Sequence, residues 1–414
     1  MYFDIGREKK MISKRKALLG AIAIILITTL FNFTIGNLVA IKMGQRVVIS
    51  RATYDKYTEI NEKYNKLFSL QDYLTDNYYR EVDEEILVEG AIIGMFESIG
   101  DPYTAYMTEK EFSDMMTRTQ GSYGGIGIIV SPGEDGLVTV VSPIEDTPGE
   151  RAGITTGDKI VSVDGTPVSA NKLDDAVELM KGKPGTNVKL GIEREGLEKP
   201  FDVTIKREEI RLKTVRSEVL DNNVGYIRIS MFDEQTARDF KNHLHELNRK
   251  NISGLVLDLR NNPGGLLGQC VDIADQLLGE QVIVYTEDRQ GKRVEERSKK
   301  SHTDVPLAVL VNKGSASASE ILAGAIKDVN RGTIIGNTTF GKGLVQQVKP
   351  LNDGSGFKYT VSEYFTPNGT NIHGTGIDPH ISVDLPEELK NEAVIEKSKD
   401  TQLQKALEVI KDKL

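Results

Sequence analysis

Three serines alternate with alanine in Ser315-Ala-Ser317-Ala-Ser319-Glu320, and a lysine follows in the glycine-flanked run Phe340-Gly341-Lys342-Gly343. Together they offer a hydroxyl nucleophile and an amine base. A serine attacks only once its proton is taken, most often by an imidazole that a carboxylate orients. The five histidines fit that role poorly: His243 and His245 fall in a charged helical stretch, His302 follows a lysine pair, and His373 and His380 lie among turn residues. Lysine serves instead when burial holds it neutral, which from an ordinary value near 10.4 takes roughly 3 units, or about 4–5 kcal/mol. Phe340 and Leu344 supply apolar flanks for Lys342, and its two glycines permit close backbone approach. The expected chemistry is that of a serine–lysine hydrolase.

The surrounding elements must bring the two groups together. Pro306–Val311 reads as a buried strand, Asn312-Lys-Gly314 as a turn and Ser319–Ile326 as an amphipathic helix. A serine at such a junction sits beside free helix N-terminal N–H groups, which can stabilise an oxyanion. Spacing leaves Ser315, Ser317 and Ser319 equally open. A second motif overlaps the lysine, since Gly336-Asn-Thr-Thr-Phe-Gly341-Lys342 fits the phosphate-loop pattern G-x-x-x-x-G-K after an apolar run. Gly343 stands where that loop needs Ser or Thr for magnesium, which argues against nucleotide binding.

Location bears on the same question. Arg7, Lys9, Lys10, Lys14, Arg15 and Lys16 precede an uncharged run from Ala17 to Ile41, long enough for a bilayer core of about 30 Å. The basic flank should stay cytoplasmic, which places everything after Lys42 outside, away from ATP, as a single-pass cell-membrane protein. A cleaved leader is the alternative, but no clear small-x-small site follows the apolar core. The 414 residues suffice for two or three domains, and the net charge of −9 disfavours nucleic acid as partner. Cys270, the single cysteine, lies in the apolar stretch Leu266–Leu278 and is expected in the core. No metal or organic cofactor is expected.

Residues 43–80 read as a helical stalk with an apolar face of Tyr54, Tyr57, Ile60, Tyr64, Leu67 and Leu70, and Ile86–Phe96 as a second helix ended by Ser98-Ile-Gly-Asp-Pro102. Between Gly121 and Arg207 short strands alternate with glycine turns. This small β-rich unit resembles a PDZ domain, with Gly125, Ile126, Gly127 and Ile128 at the loop that captures a terminal carboxylate while the ligand adds a strand. Beyond it, strands at Val224–Ser230, Gly254–Arg260, Pro306–Val311 and Thr333–Ile335 alternate with helices, the pattern of a layered α/β core. The turn Asn261-Asn-Pro-Gly-Gly265 needs special backbone angles, and its glycine N–H groups can face a site.

Several motifs in order resemble the carboxyl-terminal processing, or tail-specific, serine proteases. They are Gly100-Asp-Pro-Tyr-Thr104, the PDZ run, Val224–Ile229, Leu257-Asp-Leu-Arg-Asn-Asn-Pro-Gly-Gly265, Val311–Glu320, Thr339–Gln347 and Tyr364-Phe-Thr-Pro-Asn-Gly369. The resemblance implies Ser317 as nucleophile, Lys342 as general base and Gln346 as the residue that orients the lysine. It further implies oxyanion donors at the N–H of Ala318 and of Gly264 or Gly265, and a crotonase-like α/β core with an inserted PDZ domain behind a transmembrane helix and an N-terminal helical segment. The expected divisions are a basic tail (1–16), an anchor (17–41), a helical stalk (43–117), a PDZ domain (118–207), a protease core (208–384) and a C-terminal helical region (385–414). Two departures stand out: Lys181 where relatives show arginine, and His380 where an acidic residue is common. The expected function is an endopeptidase acting on exported proteins with free C-termini, with self-association through the terminal helices. The competing reading is a silent PDZ scaffold that binds peptides at the membrane.

Overall fold

The computed structural model describes residues 13–36, 41–43, 46–300, 302–390 and 395–414, with side chains described up to Phe31 and again from Ile49. The chain divides into two compact units, 1–95 and 96–414.

The first unit contains α1 (Lys14–Gly36), a short hairpin of β1 (Ile41–Met43) and β2 (Arg46–Val48), and α2 (Arg51–Asn77), with most of α3 (Glu84–Glu97). Ser50 caps α2 by accepting the Thr53 N–H at 3.1 Å. Helix therefore runs over 51–77 of the expected stalk, while Met43 and Arg46–Val48 at its start are in strands, and α2 buries none of its side chains. Most of the basic tail, 1–12, lies outside the described residues, as do 37–40 of the expected span. Among the described residues no helix is long and apolar enough to cross a membrane.

In the second unit, β3 (Ala105–Met107) and α4 (Glu109–Gln120) precede the β-rich module. That module comprises β4 (Ser122–Gly125), β5 (Ile128–Pro132), β6 (Val138–Pro143), α5 (Pro148–Arg151), β7 (Lys159–Val163), β8 (Thr166–Pro167), α6 (Leu173–Met180), β9 (Asn187–Glu193) and β10 (Phe201–Lys206). Its sheet runs β10-β9-β7-β6-β5, which leaves β5 at an edge. The inward residues Val138, Val140, Ile160, Val163, Leu190, Ile192 and Ile205 form a core of its own, closed by Ala176 and Met180 of α6. The strand β11 (Glu208–Arg211) pairs back with β4, clamping the two connections to the rest of the unit side by side.

The larger core follows: β12 (Val215–Leu220), β13 (Val224–Ile229), α7 (Thr236–Arg249), β14 (Gly254–Asp258), α8 (Leu267–Leu277), β15 (Val282–Asp288), β16 (Arg293–Arg297), β17 (Leu307–Val311), α9 (Ala318–Asp328), β18 (Thr333–Gly336), β19 (Leu344–Pro350), β20 (Gly356–Phe365), β21 (Ile381–Ser382) and α10 (Thr401–Lys411). One sheet has the order β12-β13-β14-β17-β18-β21, parallel from β13 onward. Every residue of β14 and β17 is buried, as a parallel strand covered on both faces requires. Helices α7, α8 and α9 cover one face, with Cys270 at the centre of that layer as expected. The other face takes α10 through Leu403, Ala406 and Ile410. The C-terminal helix is thus a core element whose apolar side packs on the sheet. A second, antiparallel sheet, β16-β15-β20-β19 with β3 on β20, carries the lysine motif at its edge.

At the carboxyl end of β14 a buried ion network fixes the next turn. Arg260 donates to Asp258 at 2.7 Å and to Asp400, the N-cap of α10, at 2.9 Å. Burial alone would raise the Asp258 carboxyl, but Arg260 outweighs it and holds the group below its ordinary value.

Candidate active site

The sequence left three serines open, and their hydrogen bonds separate them. Ser315 is fully buried; its Oγ donates to the Leu259 carbonyl at 2.8 Å and accepts the Asn312 N–H at 3.0 Å. Ser319, also fully buried, donates to the Asn262 carbonyl at 3.0 Å. Both hydroxyl protons are committed to holding the 259–262 turn against the serine loop. Ser317 alone is half-buried, and it adopts φ 54° and ψ −114° as the N-cap of α9. A non-glycine residue in that region is strained, and the surrounding bonds hold it there.

Those bonds converge on Glu320, to which the sequence assigns no role. Its buried carboxylate accepts the Ser317 N–H at 2.9 Å, the Gly341 N–H at 2.7 Å, the Lys342 N–H at 2.8 Å and the Thr339 hydroxyl. One side chain therefore ties the serine turn to the lysine loop. Tyr364 adds a second tie: its hydroxyl lies 3.1 Å from the Ser317 carbonyl and donates to the Lys342 carbonyl. The available signal for Glu320 was the spacing Ser-x-x-Glu at a helix start. α9 begins one residue earlier than expected, with Ala318 at its first position.

Lys342 follows as a half-buried residue whose amine is held below its ordinary value by burial and by Lys358, against the opposing pull of Asp101 and Glu320. Phe340 does not provide that cover, being 58% exposed. The Tyr103 ring does, with the Lys342 Nζ 4.5 Å from its centroid. Gln346 sits on β19 at a register shift, opposite Thr360, and its Nε2 is buried without a hydrogen-bond partner. Among the described residues no hydrogen bond joins Ser317, Lys342 and Gln346. The lysine runs into a strand, β19, where a phosphate loop would open a helix.

Comparison with known proteins then decides the family. Residues 223–383 match the family model described as peptidase family S41, 28–111 that of the activating protease CtpB N-terminal domain, and 139–194 a PDZ domain. The chain is 40% identical over 344 residues to carboxy-terminal processing protease CtpB of Bacillus subtilis, covering 81% of this chain and 71% of that one. It is 42% identical over 317 residues to the carboxy-terminal-processing protease of Bartonella bacilliformis, covering 74% and 72%. Among solved structures, the photosystem II D1 C-terminal processing protease is 33% identical with a TM-score of 0.46, covering 77% of this chain and 88% of that one. The chain belongs to peptidase family S41. It is a serine-type, carboxy-terminal processing protease with a PDZ domain.

In this S41 protease the glycine turn packs directly on the serine. Gly264 has φ 100°, and a Cβ there would lie 2.8 Å from the Ser317 Cβ and 2.9 Å from the Ala318 nitrogen, so neither strain nor space admits a side chain. Its N–H, however, donates to Asn262 Oδ1 at 2.9 Å. The N–H groups of Gly265 and of Ala318 have no acceptor among the described residues. In the PDZ domain the proposed carboxylate loop turns its carbonyls inward: Gly127 accepts from Thr147 Oγ1 and the Ile144 N–H, both at 2.9 Å, and Ile126 accepts the Gly149 N–H. Among the described residues the N–H groups of Ile126 and Gly127 have no acceptor, while the Ile126 side chain is buried in the domain core. Lys181 binds Glu178 at 2.8 Å and Asp114 of α4 at 3.5 Å. His380 is structural, its Nδ1 accepting the Ile334 N–H at 3.0 Å.

Proposed function

We propose that Ser317 is the nucleophile of this S41 protease and Lys342 its base, with Gln346 positioning the amine. The supporting observation is that Ser317 is the one serine of three whose hydroxyl is not donated to a buried carbonyl, while Glu320 holds its backbone to that of Lys342. Neutral Lys342 takes the Ser317 proton as Oγ attacks a peptide carbonyl. The N–H groups of Ala318 and of Gly264 or Gly265 receive the oxyanion; among these, Gly265 has the open donor. The ammonium then protonates the departing amine as the C–N bond breaks. Water, deprotonated by the same amine, releases the acyl group and restores the serine.

The PDZ domain gives the substrate a handle in this reading. A free C-terminal carboxylate meets the open N–H groups of Ile126 and Gly127, and the tail adds as a strand to the free edge of β5. Residues 17–41 anchor the chain with its N-terminus in the cytoplasm and its body outside, where exported proteins are cut. The exposed apolar face of α2, from Tyr54 to Leu70, supports self-association in the first unit. Sedimentation of the detergent-solubilised protein at rising concentration tests that, a constant monomer mass excluding it; protease protection of sealed vesicles tests the anchor.

The deciding experiment is degradation of an unfolded protein by full-length wild type, Ser317→Ala and Lys342→Ala. Loss in both variants is expected. Equal turnover by all three would exclude the dyad.

A further inference from the structure

The turn Asp101–Thr104 contributes no group to the reaction described above, yet it is built onto the base. Asp101 accepts the Tyr103 N–H at 2.9 Å, and its Oδ2 accepts the hydroxyls of Thr104 and Thr360, both at 2.6 Å. Thr104 Oγ1 in turn accepts the Thr360 N–H at 3.1 Å. Thr360 is the β20 residue directly opposite Gln346, where the β19–β20 register skips Val361. These bonds close the turn and pin it to the strand beside Gln346, and they leave Tyr103 with its ring against the Lys342 Nζ. A bulge next to a site commonly re-aims side chains, and here it coincides with the anchor of the turn.

We propose that Tyr103 is a positioning residue that parks the protonated Lys342 side chain against its ring, away from Ser317, and releases it on deprotonation. An ammonium is attracted to the negative face of an aromatic ring, whereas a neutral amine is not. When the proton leaves to water, that attraction ends. The amine then turns to the Ser317 hydroxyl and to the unpartnered Gln346 amide. Other charged groups around the amine are Asp101 on the same turn, Lys358 on β20 and Glu320 on α9. The His373 ring packs T-shaped against Tyr103 with centroids 6.3 Å apart, and the Tyr364 hydroxyl holds the Lys342 carbonyl. Sequence alone marked this stretch only as a helix stop and a family motif.

The inference rests on Lys342 being the base, and the test separates the two. The pH profile of kcat/KM for an unfolded protein substrate is measured for wild type, Tyr103→Phe, and forms with progressively fluorinated phenylalanine at 103, which weaken the ring face without changing its size. Tyr103→Leu completes the series, thermal unfolding checks each form, and a His373→Gln background removes that imidazole. Wild type and Tyr103→Phe should share one acid limb. With fluorination the limb should move stepwise to lower pH, by roughly 0.5–1 unit in all, because the ammonium loses its partner and releases its proton more readily. An unmoved limb across the fluorinated series would overturn the parking role. So would a shift already complete in Tyr103→Phe, which would assign the effect to the hydroxyl. If Lys342→Ala keeps the wild-type limb, the dyad fails and the parking role with it; if Lys342→Ala is inactive and fluorination moves nothing, the parking role alone fails.

Discussion

The two halves of the proposed dyad are built to different standards. On the serine side, Ser315 and Ser319 are bound to buried carbonyls, Glu320 accepts four donors, and Gly264 leaves no room for a single extra carbon. On the lysine side the backbone shares that order, since Gly341 and Lys342 both donate to Glu320, but the working side chains do not. The Lys342 amine faces a tyrosine ring, and Gln346 buries an amide nitrogen that has no partner among the described residues. A strained, fully bonded nucleophile turn cannot rearrange without breaking several buried hydrogen bonds. An amine on a flexible four-carbon stem moves at the cost of one ring contact. In the proposed dyad the serine turn is therefore set in advance, and the lysine side chain is the part free to move.

The contrast meets its severest test within the serine run itself. Ser317→Ala should lower turnover by about 10⁴-fold or more and leave thermal stability close to wild type, because its hydroxyl holds no buried carbonyl. Ser315→Ala should do the reverse. It strands the Asn312 N–H and removes one of the two donors to the Leu259 carbonyl, and should lose roughly 1–3 kcal/mol in denaturant unfolding with much of the activity retained. If Ser315→Ala proved as inactive as Ser317→Ala at full stability, the division between nucleophile and scaffold would be wrong.

Glu320 comes next. Glu320→Gln replaces an acceptor of four donors with a group that brings two donors of its own, so at least one buried N–H loses its partner. A loss of roughly 2–3 kcal/mol is expected, together with about 10²–10³-fold in kcat as the serine turn and lysine loop separate. Because Glu320 touches neither the serine hydroxyl nor the amine through the described bonds, KM should move little. A variant with wild-type kcat would show that the backbone tie is dispensable.

What the sequence could and could not reveal follows from how far apart the deciding contacts lie. The alternation of strand and helix from Val224 onward, the β-rich module and the helical α2 were legible from periodicity and turn residues, which act over a few positions. The choice among the serines was not, because their partners at Leu259 and Asn262 lie 56 and 57 residues away. Adjacency predicts Phe340 as cover for the lysine, yet it faces solvent and Tyr103, from a distant turn, takes that place. The C-terminal helix looked like a separate segment because nothing local says that Ile410 presses against Gly254, where a Cβ would lie 2.3 Å from it. β11 pairs back with β4 across the whole PDZ domain, a register that neither strand encodes alone.

The smallest expected effect lies on the lysine side and has an unusual sign. An unpartnered buried amide carries a desolvation penalty of about 1–3 kcal/mol with nothing in the resting arrangement to offset it. Gln346→Met keeps the length and removes the polar group, so it should leave stability unchanged or raise it by up to about 1 kcal/mol. Activity should nonetheless fall, by roughly 10-fold, since the amine would reach Ser317 without a hydrogen bond to fix its direction. Thermal unfolding and kcat measured on the same preparation check both signs at once. A drop in stability would mean that Gln346 is part of the scaffold, like Ser315; unchanged activity would mean that the base needs no partner beyond the serine it serves.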